Sequence, residues 1–276
     1  MKRVTSSENK KVVLGILSYI HKICVENNIE YSLGAGTLLG AIRHGGFIPW
    51  DDDGDVIVRR NDYNRLIKIL EADQNSHYGF ISEKVKGYYY VFSKVYDKNT
   101  ILKTLAPQDS EITNLGVYVD IFPIDNVPLK QDEAEKFYED AMNINYKMYM
   151  SIPGFYYFSD SPIKQYVKKF IYYPKYLRAV GKNRNAEYWK EKLLQKITSY
   201  QDENTGKAGF TLSEYKTREY MDSAIFNEYS DVTFEGRTYR KLSKYNDYLT
   251  ALYGDYMELP PLEKRNPKHA YIEYWK

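Results

Sequence analysis

The fold of this chain is decided by residues 34–63, which read GAGTLLGAIRHGGFIPWDDDGDVIVRRNDY. The glycine turn Gly34-Ala35-Gly36-Thr37 opens a short helix, predicted over Leu38 to His44 and ended by two glycines. Four aspartates then occupy positions 51, 52, 53 and 55, and the β-branched run Val56-Ile57-Val58 predicts that a strand follows them. A glycine turn, a helix and an acidic strand therefore succeed one another directly.

The composition is that of an ordinary globular protein. Of 276 residues, 43% are hydrophobic and 28% are charged, and 39 basic against 37 acidic residues leave a net charge of +2. This balance provides no basic field for nucleic acid, so we expect no nucleic-acid partner. The single cysteine, Cys24, excludes a disulfide framework and suits a reducing compartment. Because no signal peptide or run of about 20 apolar residues is present, we expect a cytoplasmic protein.

The periodicity of the chain predicts an α+β fold, a mixed sheet with flanking helices and a helical second half. A capping box, Thr5-x-x-Glu8, begins the first helix, and Asn61 and Asp62 are expected to cap another helix that runs through Leu70. Strands are predicted over 29–33, 88–95 and 117–122, and helices over 131–150 and 187–204. We therefore expect a mixed-sheet core at 1–128, with a mostly helical part at 129–276 packed on it.

Two aspartates of the acidic run share one face of the predicted strand. Residues i and i+2 of a strand point the same way, so Asp53 and Asp55 repel each other unless a cation lies between them. Their oxygens suit Mg²⁺ or Mn²⁺. Asp120, inside an apolar run, is expensive to bury without a metal or partner. Three aspartates on adjacent strands are the minimum that holds two metals in line with a phosphoryl transfer.

A solvated turn explains the run DDDGD alone about as well as a metal site does. The upstream turn Gly34-x-Gly36-Thr37 favours the metal site, because the first amide groups of a helix suit a phosphate. A D-x-D motif on the next strand, one short helix further on, makes the combination much more specific than either part.

These residues resemble the signature of the LicD family. The similarity lies in 34–63 and VYVDIFPID (117–125), in SKVYDKNT (93–100), and in FEGR (234–237), YGDYM (253–257) and LPP (259–261). The resemblance implies a nucleotidyltransferase-like fold for the 1–128 core. It also implies transfer of phosphocholine from CDP-choline to a sugar hydroxyl of a bacterial surface glycan, such as a teichoic acid, lipopolysaccharide or capsule precursor, with release of CMP.

The resemblance assigns the site residues. It implies that Asp53, Asp55 and Asp120 are the catalytic metal ligands, with Mg²⁺ or Mn²⁺ as cofactor. It also implies that Gly36 and Thr37 form the phosphate loop on the nucleotide side.

Three further residues are candidates for nucleotide binding. Arg43 and Lys94 have charges that suit phosphate oxygens, although such residues are more often solvated surface charges. Trp50 suits stacking on the base or packing against the sheet.

Several alternatives remain open. Fukutin-related protein, similar in the same motif, transfers ribitol phosphate from CDP-ribitol, and CDP-glycerol is a comparable donor; its zinc-bearing insertion cannot form here with one cysteine. A D-x-D glycosyltransferase is the main rival, but only about 50 residues precede the motif. A nucleotidyltransferase that releases pyrophosphate also remains open, whereas a scaffold protein leaves Asp120 without a purpose.

Choline and membrane contacts are harder to locate from sequence. Quaternary ammonium groups are held by aromatic faces, and among 30 tyrosines the clusters Tyr88-Tyr89-Tyr90 and Tyr156-Tyr157 are candidates. Segment 161–186 is basic, with Lys182 among its seven cations and apolar residues between them. It is expected either to lie peripherally on the inner face of an anionic membrane, near a lipid-linked acceptor, or to form a packed helix broken near Pro174.

Overall fold

The structure is a computed structural model that describes residues 1–104, 106–109, 111–159, 161–181, 184–265 and 271–276. Lys182 lies outside the described residues. The described helices are α1 (Ser6–Glu26), α2 (Ala35–His44), α3 (Arg60–Ala72), α4 (Gln131–Ser151), α5 (Pro162–Val180), α6 (Ala186–Ile197) and α7 (Tyr245–Tyr253). The described strands are β1 (Ser32–Leu33), β2 (Asp55–Arg59), β3 (Tyr78–Ile81), β4 (Ser93–Asp97), β5 (Thr100–Thr104), β6 (Tyr118–Val127), β7 (Lys207–Gly209), β8 (Met221–Asp222), β9 (Tyr229–Phe234), β10 (Arg237–Leu242) and β11 (Tyr271–Trp275).

The centre of the fold is a mixed sheet with the strand order β1-β2-β6-β4-β3. Strands β2 and β6 are parallel, whereas β4 pairs antiparallel with β6 and β1 pairs antiparallel with β2. The α+β class with a mixed sheet is therefore confirmed. The central position of β6 follows from its composition, because Val119 and Ile121 are fully buried between its two neighbours.

Helix α1 covers one face of this sheet. Its predicted capping box is present, since the backbone N–H of Glu8 donates to Thr5 Oγ1 at 3.2 Å and that of Thr5 donates to Glu8 Oε2 at 2.9 Å. Val13 and Leu17, one turn apart, are buried in the main core. The acidic loop lies beneath them, because a Cβ on Gly54 would come within 2.7 Å of the Val13 side chain. Only glycine fits this contact.

Some predicted element boundaries are wrong. The strand expected over 88–95 is regular only as β4, from Ser93, because Tyr88 is instead buried in a small cluster with Ile81 and Leu115. Helix α3 begins at Arg60 without a side-chain cap, and Asp62 accepts a hydrogen bond from Arg65 at 2.6 Å instead. The strand predicted over 29–33 and the helix predicted over 187–204 are shorter, and β6 is longer, than expected.

The second half is helical over α4 to α6 and then adds strands. Strand β7 pairs antiparallel with the end of β6, at Asp125 to Val127, and β11 pairs with β5. These pairings bring residues beyond 206 back to the core, which short-range periodicity did not predict. The division at 128 stays a prediction.

Helix α5 is continuous across Pro174, so the predicted break is wrong. Ala179 is the buried residue of this helix, and Tyr176 stacks on Tyr156 at 4.7 Å between ring centroids. In the described part of the chain, no helix combines the length and apolar character needed to cross a bilayer.

A buried ion pair ties α3 to the far end of β6. Arg60 donates from Nε and Nη2 to the two carboxylate oxygens of Asp125, at 2.6 and 2.7 Å. The side chains of Arg60 and Asp125 are only 7% and 1% exposed. A paired guanidinium at such a site is strongly destabilised when its partner is removed.

We expect Asp125→Ala to lower the free energy of unfolding by about 3–5 kcal/mol, because it leaves Arg60 charged, buried and unpaired. Urea unfolding followed by circular dichroism measures this change. The control is Glu133→Ala, which removes an exposed pair with Lys130 at 2.9 Å and should cost less than about 1 kcal/mol. Equal losses in the two variants would contradict the importance of the buried pair.

Candidate active site

Strand register aligns two acidic residues and a lysine across the sheet. Asp55 on β2 lies opposite Asp120 on β6, and Asp120 lies opposite Lys94 on β4. Successive side chains alternate between the faces of a sheet, so residues opposite one another point to the same face. The structure thus brings together Asp55, Asp120 and Lys94, which are widely separated in sequence.

Asp53 and Asp55 also open into one cavity, of about 360 Å³. Asp51 and the first turn of α2, through Ala35 and Gly36, line the same end of it. The acidic run and the glycine turn therefore face a common space, as their succession in the sequence predicts.

The surroundings of Asp55 disfavour the ionised form of its carboxyl group. Burial raises its pKa well above the ordinary value, and the neighbouring charges of Asp53, Asp120 and Asp51 raise it further, in that order. Lys94 acts in the opposite direction but does not reverse the shift. A divalent cation beside Asp53 and Asp55 would relieve this repulsion.

Asp120 is engaged by Lys94. The ammonium Nζ donates to Asp120 Oδ1 at 2.5 Å, and the lysine side chain is 4% exposed. The same Nζ lies 3.6 Å from the ring centroid of Tyr118 and about 5 Å from the rings of Tyr90 and Phe92. The predicted aromatic cluster at 88–90 thus contributes Tyr90 to a site for this lysine.

The metal fit rests on Asp53 and Asp55. Among the residues that the structure describes, no group of three or more His, Cys, Asp or Glu side chains is placed so that it could hold a metal ion by itself. Mg²⁺ commonly binds through one or two carboxylates together with substrate phosphate oxygens. Asp53 and Asp55 fit that arrangement, and the assignment of Asp120 as a third ligand stays a prediction.

The glycine turn positions Asp55 directly. Helix α2 begins at Ala35, earlier than the predicted Leu38, so Gly36 and Thr37 lie in its first turn. The buried Thr37 Oγ1 accepts a hydrogen bond from the backbone N–H of Asp55 at 2.8 Å, and Gly34 N–H donates to Asp55 O at 2.9 Å. A Cβ on Gly36 would approach Asp51 Oδ2 to 2.9 Å. Helix and acidic strand therefore form one unit.

Arg43 and Trp50 lie in a separate groove. Arg43 donates from Nη1 to the carbonyl oxygens of Tyr256 and Glu258, at 2.8 and 3.3 Å. Trp50 packs edge-on against His44, and the Arg265 guanidinium lies 5.1 Å from the centroid of a Trp50 ring. The structure does not place Arg43 or Trp50 in the cavity of Asp53 and Asp55, and their nucleotide roles stay predictions.

A second wall of the cavity consists mostly of residues that the sequence motifs do not indicate. This wall consists of side chains from 122 and from the segments 210–219 and 248–253: Phe122, Phe210, Leu212, Ser213, Glu214, Tyr215, Glu219, Tyr248 and Tyr253. Phe122 belongs to the quoted motif VYVDIFPID, and Tyr253 belongs to YGDYM. The remaining residues carry no local signal, because long-range packing alone brings them to the site.

Known proteins are similar to this chain over the part that carries the site. Residues 28–175 match the family model described as LicD/FKTN/FKRP, nucleotidyltransferase domain. The chain is 30% identical over 282 residues to the lipopolysaccharide cholinephosphotransferase LicD of Haemophilus influenzae, and the match covers 99% of both chains. It is also 30% identical over 159 residues to an uncharacterised protein of Rickettsia typhi, across 50% of this chain and 51% of the relative.

We expect Thr37→Val to lower the free energy of unfolding by about 1–3 kcal/mol, because the isosteric valine leaves the N–H of Asp55 without its acceptor. Urea denaturation measures the loss. The control, Thr250→Val on the exposed surface of α7, should stay within about 0.5 kcal/mol of the parent. If Thr37→Val is as stable as the control variant, the hydrogen bond does not hold the acidic strand.

Proposed function

This chain belongs to the LicD family and is a transferase, and we propose that it moves phosphocholine from CDP-choline to a sugar hydroxyl of a bacterial surface glycan. The observation that carries the proposal is similarity to a lipopolysaccharide cholinephosphotransferase over 99% of both chains. Such coverage includes the acidic strand, the glycine turn and the far wall of the cavity. The acceptor we propose is a lipid-linked precursor of lipopolysaccharide, teichoic acid or a capsule.

The proposed reaction is a substitution at the phosphorus that carries choline. The acceptor hydroxyl oxygen forms a bond to that phosphorus, and the bond from this phosphorus to the oxygen that bridges the two phosphates breaks. CMP leaves with the bonding electrons, and the hydroxyl proton passes to a carboxylate. Because attacking and leaving oxygens are in line, catalysis consists mainly of positioning and charge stabilisation.

The residues divide these tasks. We assign Asp53 and Asp55 to the metal; bound Mg²⁺ or Mn²⁺ would supply charge neutralisation at the diphosphate. Gly36 and Thr37, in the first turn of α2, are assigned to the nucleotide side, where the helix dipole favours phosphate. We place Asp120 nearest the acceptor hydroxyl, and Lys94 acts through it by balancing its charge.

Donor choice decides between this proposal and its alternatives. Incubation with CDP-choline, CDP-ribitol, CDP-glycerol and a nucleotide sugar, each with a lipopolysaccharide acceptor, should release CMP most rapidly from CDP-choline. Faster release from CDP-ribitol or CDP-glycerol would assign a polyol phosphate instead. A nucleoside diphosphate released from the sugar donor would assign a glycosyltransferase.

We expect Asp53→Asn and Asp55→Asn each to lower the rate of CMP release by about 10³-fold or more, since a lost metal ligand removes several kcal/mol of transition-state stabilisation. The matched control is Asp52→Asn, in the same acidic run but outside the cavity lining. It should keep a rate close to that of the parent. Near-normal turnover in the Asp53 and Asp55 variants would remove them from the metal site.

A membrane contact through α5 would bring the enzyme to a lipid-linked acceptor. The outer face of α5 carries exposed apolar and aromatic side chains at helical spacing: Ile163, Tyr166, Val167, Phe170, Ile171, Tyr173 and Leu177. Phe170 is 86% exposed and Ile163 is 77% exposed. Large apolar side chains rarely remain in water as a continuous stripe without a partner surface.

The charges beside this stripe indicate the partner. Segment 161–181 contains no acidic residue, and it carries five basic residues: Lys164, Lys168, Lys169, Lys175 and Arg178. At 100° per residue, most of these residues flank the apolar stripe. An apolar face bordered by cations suits the interface of an anionic bilayer, so we propose that α5 lies on such a membrane.

We expect the double variant Lys164→Glu/Lys175→Glu, and separately Phe170→Ser, to bind vesicles of phosphatidylcholine with 30% phosphatidylglycerol at least about tenfold more weakly, since each basic residue contributes about 1 kcal/mol. Co-sedimentation at low salt measures binding. Lys136→Glu, on the exposed face of α4, is the control and should bind like the parent. If the parent protein does not sediment with these vesicles, α5 serves another contact.

A further inference from the structure

The cavity beside Asp53 and Asp55 has an unusual lining. Five carboxylates line it (Asp51, Asp53, Asp55, Glu214 and Glu219), together with five aromatic rings (Phe122, Phe210, Tyr215, Tyr248 and Tyr253). Its lining, as far as the structure describes it, includes no lysine, arginine or histidine. Any positive charge that balances these carboxylates within the cavity must therefore come from a bound ligand or metal ion. The proposed metal accounts for Asp53 and Asp55, whereas Glu214 and Glu219 come from a different segment of the chain, 213–219.

The aromatic rings of the lining are held in fixed orientations by packing against each other. Tyr215 and Tyr253 lie edge to face, with centroids 5.4 Å apart and planes at 78°. Phe122 and Phe210 lie 4.9 Å apart, and both contribute to the same lining. Tyr248 is 1% exposed, so its orientation is set by packing. Rings meeting at different angles form concave walls for a compact group.

Protein groups lie close to the tyrosine hydroxyls. Burial raises the pKa of Tyr215 to about 12, and the neighbouring Tyr253 and Glu214 side chains also act on it. The hydroxyl of Tyr248 accepts from the backbone N–H of Ala35 at 3.4 Å. Beside these hydroxyls, the wall provides the ring faces of Tyr215 and Tyr253 as apolar surface for a ligand.

Glu219 places a buried acid beside these rings. It is 5% exposed, and burial raises its pKa to about 7, although a hydrogen bond from Ser213 acts in the opposite direction. Nearby Glu214 raises it further. An acid in such surroundings gains stability from a bound cation, because the cation replaces lost solvation.

We propose that the rings of Tyr215 and Tyr253, with Glu219, form the subsite that holds the trimethylammonium group of the donor. This inference rests on the proposed function and names the part of the cavity that recognises choline. A quaternary ammonium has no N–H to donate, so it binds aromatic faces and a nearby negative charge. The subsite lies in the same cavity as Asp53 and Asp55, as a donor whose reacting phosphate adjoins choline requires.

A sugar of the acceptor is the rival occupant of this wall, since sugars also stack on aromatic rings. A sugar, however, needs hydrogen-bond donors as well as acceptors. Glu214 and Glu219 accept but do not donate when ionised, so they supply negative charge rather than hydrogen-bond donors. Two carboxylates beside aromatic rings therefore favour a cation.

The test compares binding of CDP-choline with that of CDP and of CDP-3,3-dimethylbutanol, in which carbon replaces the quaternary nitrogen. Titration calorimetry with Mg²⁺ present measures all three. The parent protein should bind CDP-choline at least about tenfold more tightly than the neutral isostere. Glu219→Gln and Tyr253→Leu should remove that preference while leaving the affinity for CDP unchanged. Tyr253→Phe, which keeps the ring and loses only the hydroxyl, should retain it.

The outcomes separate this inference from the proposed function. If the parent transfers phosphocholine and the Glu219 and Tyr253 variants keep the preference for CDP-choline, the subsite is wrong while the function stands. If these variants raise KM for the acceptor and not for CDP-choline, the wall binds the sugar, which also overturns the inference. If the parent binds CDP-choline no better than the isostere and turns over CDP-ribitol instead, both proposals fail. Thermal unfolding of each variant confirms that the fold is retained.

Discussion

Mutual repulsion among carboxylates at the start of β2 is the constraint on which the site depends. The register of β2 and β6 sets Asp55 beside Asp120, and the tight loop keeps Asp53 and Asp51 nearby. Two backbone features hold these carboxylates near each other. The Asp120 N–H donates to Gly54 O at 2.9 Å, and the side chain of Val13 on α1 packs against the same glycine. The fold instead offsets the repulsion locally, with Lys94 on one side and a space for cations on the other.

Lys94 shows how the sheet divides these carboxylates. Its side chain is 4% exposed, and its ammonium lies near the ring of Tyr118 on β6 and the rings of Tyr90 and Phe92 in the loop before β4. Burying a charged lysine without a partner costs several kcal/mol, as a rough order of magnitude. The pair with Lys94 therefore favours the orientation of the Asp120 carboxylate toward β4. Asp53 and Asp55 line the cavity, whose lining among the described residues includes no lysine. One acidic group thus has a cation built into the protein, and the others face the space where an added cation fits.

Much of this could be predicted from sequence, because the decisive signals are local. The capping box of α1, the glycine turn and the D-x-D strand each lie within a few residues, so spacing alone predicts them. The ends of α3 and the loop at Tyr88 were missed, because tertiary contacts override local preference there. Apart from Phe122 and Tyr253, which lie in quoted motifs, the residues of this wall carry no local signal, since Phe210, Glu219 and Tyr248 join the cavity lining only through the fold.

The charge pattern of the cavity also bears on donor choice. CDP-choline is negative at its diphosphate and positive at its alcohol, whereas CDP-ribitol and CDP-glycerol carry neutral alcohols. Five carboxylates in the cavity lining repel a diphosphate unless a metal binds there, and Asp53 and Asp55 suit the proposed metal. A neutral polyol would leave the charges of Glu214 and Glu219 uncompensated when they are ionised, while trimethylammonium brings its own positive charge. The acidic lining is therefore an argument for the proposed choline donor over a polyol donor.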